Sequence, residues 1–445
     1  MNKQIKEYTF LGLIVFAVFL ILSIVFYKER IICMDFSLVD VAIIIKENFV
    51  QKLVRFGGAI PQVVPLLGTI IHLPLKLILL FHSIGMVVFY LIFFILILFR
   101  IKNFVFGFAL LLFLTLLVSD NFYWICSEFP QGMAYLCLYG AWLMEKQNTD
   151  STIKHWWLHF LIILWIQFFY LLIVFPIVFM FCFLFLISEK RNFKTLLIFI
   201  SITIASFIIR YFVGKLDWYE LEKIQSFSKI INNISQISAS GSFLEFIKDL
   251  KSDYLIWGLI FLVTSIVLIL KKHWKLCFLT VMISSVYLVV VLALNPVADK
   301  FYIQNMFLPL GFIVALPFLF YIIKPMNPKA GLIVLTLIFS FRIGIIYAAH
   351  QKFTNRITWF NSKIRQIRNG EDKIYFIPSS GLPMDTLLMT WAVPYETLLL
   401  SSLNNPDSAI VIKIEDEYSE VKMDTLGIFP LWKMEEIPTG YFNLQ

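Results

Sequence analysis

Long, nearly uninterrupted apolar stretches restrict what this chain can fold into more than any other feature. A bilayer-crossing helix needs about 20 mostly apolar residues, since the hydrocarbon core is roughly 30 Å thick and each helical residue advances about 1.5 Å. Eleven stretches are candidates: 9–27, 77–99, 103–119, 130–144, 156–172, 173–188, 195–213, 254–270, 275–294, 303–323 and 330–348. Composition agrees. The chain is 60% hydrophobic and 15% charged, with a mean hydropathy of +0.84, whereas a soluble domain is about 45–50% apolar and about 25% charged. The expected fold is an all-α polytopic transmembrane bundle of about 11 helices. Amphipathic helices on the outer face and a small C-terminal α/β extramembrane domain complete it.

Charge placement sets the expected topology. Phe10–Phe26 follows Lys3 and Lys6, and no small-residue cleavage pattern precedes Tyr27-Lys28-Glu29-Arg30, so it reads as an uncleaved first helix. The run Trp156–Ser188 is too long for one ordinary span and divides near Leu172–Pro176. With that division, Arg100, Lys102, Lys146, Lys154, Lys190, Arg191, Lys194, Lys271, Lys272, Lys275, Lys324 and Lys329 all fall on the side of the N-terminus. Lys and Arg collect on the cytoplasmic side of short loops. The N-terminus is therefore expected in the cytoplasm and residues 349–445 outside. Residues 1–350 form the expected membrane domain, with long outer connections at 28–76 and 214–253, and 351–445 the extracytoplasmic domain.

Within the first connection, Leu38–Val54 sets Val39, Ile43 and Val50 against Lys46, Glu47 and Lys52, the pattern of a helix lying on the membrane surface. In the tail, Arg356–Arg368 reads as a polar helix, Lys373–Pro378 and Ala409–Ile414 as strands, and Thr386–Leu403 as a helix that Pro394 kinks or interrupts.

Several chemistries find no support. No basic run with interleaved aromatics points to nucleic acid, despite the net charge of +8. Cys33, Cys126, Cys137, Cys182 and Cys277 are scattered, odd in number and without a CxxC, so neither a disulfide framework nor a zinc site is indicated. His72 and His82 stand ten apart with no third ligand in view, and no metal ligand is assigned.

Ionisable groups near a membrane are costly, so where they gather is informative. Here they gather on the expected outer face, in three segments. Met34-Asp35-Phe36 puts a carboxylate just beyond the first span, able to act as a general base or simply to cap a helix. Asn121–Gly132 places Tyr123 and Trp124 beside Glu128, as in a sugar-binding lip or an interfacial aromatic belt. Asn295–Asn305 holds Asp299, Lys300 and Tyr302, a cation beside an aromatic that can hold a lipid phosphate or snorkel to the interface. Arg55 is a second candidate for phosphate binding, and Asp40 follows Asp35 by five residues.

This arrangement resembles the GT-C superfamily of membrane glycosyltransferases, which use polyprenyl-phosphate sugars on the outer side of the membrane. The resemblance rests on a first helix, an outer loop opening with an acid (Asp35) and a second outer loop with aromatics and an acid. A basic-aromatic element running from Asp299-Lys300-Phe301-Tyr302 to Pro309 and a C-terminal outer domain complete it. Two departures stand out: Asp40 is not adjacent to Asp35, and the basic position is lysine rather than arginine, which forgoes bidentate phosphate binding.

The resemblance implies Asp35 as base, Glu128 as a positioning carboxylate, and Lys300 with Arg55 offsetting charge on the leaving phosphate. Asp40, Tyr123, Trp124, Asp299 and Tyr302 would contact substrate. It implies membrane lipid, a polyprenyl-phosphate sugar donor and a glycan or lipid acceptor as partners. It leaves a divalent cation open as cofactor. With the Lys-, Ile- and Phe-rich composition it also implies a bacterial inner membrane.

Two other classes compete. A transporter or flippase of a lipid-linked glycan calls for internal repeats and broken helices near the midplane, whereas these spans are mostly uninterrupted, with Gln167 and Arg210 the main polar intruders. A non-catalytic scaffold calls for an exposed apolar groove in the tail, which Trp391–Leu400 can supply.

Overall fold

A computed structural model describes residues 3–50, 56–125, 127–146, 156–189, 192–215, 221, 225, 230–368, 372–415 and 438–444. Helix dominates: α1 (Lys3–Val25), α2 (Tyr27–Ile31), α3 (Asp35–Lys46), α4 (Ala59–Ile70) and α5 (Leu75–Ile95) lead into α6 (Phe104–Phe113) and α7 (Phe129–Lys146). Then come α8 (Trp156–Gln167), α9 (Val174–Ile187), α10 (Phe193–Gly214), α11 (Ile230–Ile234), α12 (Gly241–Leu250) and α13 (Leu255–Leu270). The bundle closes with α14 (Trp274–Leu294), α15 (Lys300–Phe318) and α16 (Pro328–Ile367).

Six helices are long and apolar enough to cross a membrane, or seven if α12 and α13, bent by 77°, count as one broken span. This is the build of a multi-pass membrane protein. Each of the expected eleven spans contains a helix, but several of these are too short to cross alone. The ten residues of α6 advance about 15 Å, half a hydrocarbon core. Every side chain from Val105 to Phe113 is buried, so α6 is an interior helix whose apolarity reflects protein packing rather than lipid. Hydropathy alone cannot separate these two causes. The run 156–188 does divide, a few residues before the expected place, between Gln167 and Val174, with Pro176 tolerated in the first turn of α9.

The centre of the bundle is α15. In its continuation to Ile323, 83% of the apolar window is buried, against 28% for Phe193–Gly214 and for Pro328–Ile367. At 40 residues α16 is roughly 60 Å long and outruns a bilayer. The expected span 330–348 and the expected separate helix 356–368 are therefore one rod, because no proline or glycine interrupts Tyr347–Ile367. Its polar half leans on the connections that bear the candidate residues. Lys352 Nζ donates to Asp120 Oδ2 at 2.8 Å, and Thr354 Oγ1 donates to Glu29 Oε1 at 2.9 Å.

The tail adds β1 (Ile374–Ile377), α17 (Met384–Leu387), α18 (Val393–Ser402) and β2 (Val411–Ile414). The strands pair in parallel, with Ile374 opposite Val411 and Ile377 opposite Ile414. The expected helix 386–403 is broken. Leu388 adopts φ 60°, and α18 restarts with Pro394 in its first turn, where a missing N–H costs nothing. Leu398, Leu399 and Leu403 are buried, and α18 packs on α3 and α16. That packing corrects the expected surface helix in the first connection. Side chains from Phe36 to Ile44 are all buried, since α18 covers the face of α3 that would otherwise meet water.

Candidate functional site

The end of α1, the loop after α6 and the start of α15 meet at one end of the bundle. Two devices fix the loop. Gln304 of α15 accepts from the Ser119 and Asn121 N–H groups at 3.1 and 2.9 Å and donates to Ser119 Oγ at 2.7 Å. Arg342 of α16, fully buried, donates through Nε to the Thr115 carbonyl at 2.9 Å and through Nη2 to that of Val118 at 2.6 Å. Its Nη1 donates to the Asp253 carbonyl. The guanidinium thus satisfies carbonyls left over where α6 stops, a favourable position for a cation.

Between these elements lies a cleft with about 590 Å³ of space not filled by atoms, part of it open to the surroundings. Its walls are apolar and aromatic, including Phe16, Phe19, Met86, Val87, Tyr90, Phe122, Trp124 and Leu308. Arg30 enters this wall with 2% of its surface exposed. Its Nε donates to Ser83 Oγ at 3.0 Å, its Nη1 to the Phe122 carbonyl, and its Cζ lies 4.1 Å from the centre of the Phe122 ring. None of these partners is a carboxylate, and among the described residues no acid pairs with it.

Burial lowers its pKa to about 10, opposed by the Tyr123 and Tyr90 phenols, so at neutral pH the group remains charged. A buried charge without a counterion is expensive. Beside it, Trp124 Nε1 is buried with no hydrogen-bond partner among the described residues. A cation and an indole N–H set in apolar walls suit an anionic head group carrying an apolar tail.

One residue along α5 from the Arg30 partner Ser83 is His82. Its Nδ1 lies 2.8 Å from Asp40 Oδ1, both side chains are fully buried, and the Phe36 ring is 5.0 Å away. Asp40 Oδ2 and His82 Nε2 have no partner among the described residues. Asp40, expected to contact substrate, is thus an inward-facing partner of a histidine to which the sequence assigned no role.

Of the other expected residues, Trp124 lines the cleft. Asp35 is the first residue of α3, and Arg55 lies outside the described residues. Glu128 is half-buried between the cleft residues Ser127 and Pro130, and a Cβ on Gly58 would come within 3.0 Å of its Cγ. A side chain there would push the Glu128 carboxylate aside by a few tenths of an ångström. Tyr123 is fully buried, 5.4 Å from Phe353 between ring centres, rather than exposed in a belt.

Trp124 sits 5.8 Å from Tyr302 and 5.5 Å from Phe301, bringing the second and third expected segments together. Asp299 is exposed and does not cap the helix it precedes. Lys300 needs correction as a free phosphate ligand: its ammonium donates to Asp249 Oδ1 at 2.6 Å and Asp253 Oδ2 at 2.9 Å. Two carboxylates already compensate that charge, and Asp253 also accepts from Ser119 Oγ at 3.1 Å, so Lys300 braces the loop.

Arg30 and Glu396, the latter described below, were not singled out from sequence, and His82 was noted without a role. Among the described residues no group of three or more His, Cys, Asp or Glu is placed to hold a metal ion. Comparison with protein-family models, with curated proteins and with solved structures finds no match to this chain.

Proposed function

We propose that this protein is a membrane glycosyltransferase of GT-C type, moving a sugar from a polyprenyl-phosphate donor to a glycan or lipid acceptor at the outer face of a bacterial inner membrane. The observation that carries the reading is the Arg30 guanidinium, buried in an apolar, aromatic cleft with no carboxylate partner among the described residues. Its charge calls for an anion and its surroundings for a hydrocarbon chain, and a polyprenyl phosphate has both.

In the reaction the acceptor hydroxyl oxygen attacks the anomeric carbon while the bond from that carbon to the phosphate oxygen breaks. The hydroxyl proton passes to the Asp35 carboxylate. The departing lipid monophosphate keeps the bonding electrons, and Arg30 and the Trp124 N–H offset its growing charge. Arg30 thus takes the role that the resemblance implies for Lys300. Glu128, beside the cleft, orients sugar or acceptor.

The test is transfer from a panel of polyprenyl-phosphate sugars by membranes holding wild type, Asp35→Asn or Arg30→Gln. Transfer by wild type that both substitutions abolish at unchanged expression supports the proposal. Transfer surviving Asp35→Asn moves the base to Glu128 or Asp40. Folded wild type inactive toward every donor favours a transporter or scaffold.

A further inference from the structure

At the junction between α2 and α3 the chain does something costly. Met34 adopts φ 61° and ψ −139°, a backbone conformation that favours glycine. Both of its peptide groups are held. The carbonyl accepts from the Ser37 N–H at 3.1 Å and from Ser37 Oγ at 2.6 Å, a local turn that any serine can make. The Met34 N–H instead donates at 2.6 Å to Oε1 of Glu396, a residue 362 positions away in α18.

Glu396 is fully buried, as is Arg356 of α16, whose Nε donates to the same Oε1 at 2.7 Å and whose Nη2 donates to Oε2. The third arm of Arg356 donates to the Met389 carbonyl at 2.9 Å, which also anchors the segment between α17 and α18. The neighbouring Cys33 Sγ lies 3.9 Å from the Phe353 carbonyl of α16.

We infer that Glu396 is a positioning residue: from the C-terminal segment it clamps the Met34 peptide in its strained conformation and thereby fixes where α3, and Asp35 with it, begins. The catalytic part of this inference rests on the reading of Asp35 as base. The ion pair and the clamp are separable functions of one carboxylate. Arg356 needs its charge, whereas the Met34 N–H needs only an acceptor oxygen. The arrangement makes the extramembrane tail part of the site without giving it any contact with substrate.

Two double variants of the full-length protein in membranes separate these functions. Arg356→Met with Glu396→Gln removes the charge pair and keeps an acceptor for Met34. Arg356→Met with Glu396→Met removes both. Neither leaves a lone buried charge, so both retain the fold. The first readout is alkylation of Cys33 by a maleimide, followed by mass spectrometry, which needs no knowledge of function. The glutamine pair should react within about threefold of wild type, and the methionine pair about tenfold or more faster, the effect of losing one hydrogen bond of ordinary net worth.

The second readout is sugar transfer, in which the methionine pair should lose about tenfold in kcat with donor KM little changed, as for a displaced base. Equal Cys33 reactivity in the two pairs overturns the inference. So does an unchanged kcat in a methionine pair whose Cys33 has become reactive. A wild type without transfer, with the Cys33 pattern intact, sinks the glycosyltransferase reading while the clamp on Met34 stands. Amide exchange on the unaltered protein checks the clamp without any variant. The Met34 N–H should exchange with the slowest core amides, and exchange at the rate of exposed loops overturns it.

Discussion

Replacing Arg342 with methionine should destabilise the protein by about 2–5 kcal/mol, and the structure sets both bounds. The side chain is fully buried and donates to three carbonyls, those of Thr115, Val118 and Asp253. Interhelical hydrogen bonds in membrane proteins average about 0.6 kcal/mol each, which for three gives about 2 kcal/mol as a floor. Bonds from a charged donor are worth at least roughly 1.5 kcal/mol in proteins generally, and three at that value set the upper figure of about 5 kcal/mol.

The loss is not uniform. The Thr115 carbonyl also accepts from the Val118 N–H at 3.2 Å, so Val118 and Asp253 should lose most. Arg342→Lys, a point charge able to reach fewer of the three carbonyls, should fall between the two. Equilibrium unfolding in mixed micelles measures the order wild type, lysine, methionine. A methionine variant within about 0.5 kcal/mol of wild type would mean that the end of α6 holds without Arg342, and the account of how loop 119–128 is positioned would be wrong.

Other consequences can be checked alongside. Lys300→Met with Asp249→Asn and Asp253→Asn removes a bridge and both of its partners together, and should keep transfer within about threefold of wild type while Lys300→Met alone loses most of it. Loss of transfer in the triple variant would restore Lys300 as a phosphate ligand. Gly58→Ala pushes a methyl to within 3.0 Å of Glu128 Cγ and should lower transfer with little change in unfolding temperature, and unchanged transfer would separate Glu128 from the reaction. Burial and the Glu396 carboxylate push the Cys33 thiol well above its ordinary range. Its alkylation in the folded protein should therefore keep rising with pH past the point, about one to two units above the free-thiol pKa of about 8.5, where a free cysteine levels off, and a plateau there would contradict the burial.

The sequence discloses the helical class through apolar run length alone, and it locates β1 and β2 through strand composition; it expects a break in the helix 386–403, which falls at Leu388–Ala392 and leaves Pro394 in the first turn of α18. It misjudges helices whose environment is set by distant parts of the chain. Residues 103–119, of which 104–113 form α6, look like a span because interior and lipid-facing positions are equally apolar, and α3 looks amphipathic because nothing local reveals that α18 will cover it. For the site, sequence marks the segments at 34–40, 121–132 and 295–305, and the structure joins the last two through Trp124 and Tyr302.

It cannot say which cations are already compensated. Lys300 looks available until Asp249 and Asp253 arrive from a bend some fifty residues away, whereas Arg30, in a short run of charges, donates to Ser83 and the Phe122 carbonyl and pairs with no acid among the described residues. Glu396 gave a faint signal, as an acid among the apolar residues of Val393–Leu400, and its meaning depends on Arg356 and Met34.

Binding of a polyprenyl monophosphate to purified wild type and Arg30→Met, with the corresponding uncharged polyprenol as control, tests the central claim most directly. Loss of a charge-assisted contact worth about 1.5–3 kcal/mol predicts that the substitution weakens phosphate-lipid binding by roughly 10–100-fold and leaves polyprenol binding unchanged. Equal affinity of wild type and variant for the phosphate lipid would contradict the claim, since Arg30 would then not be the group that receives the anion.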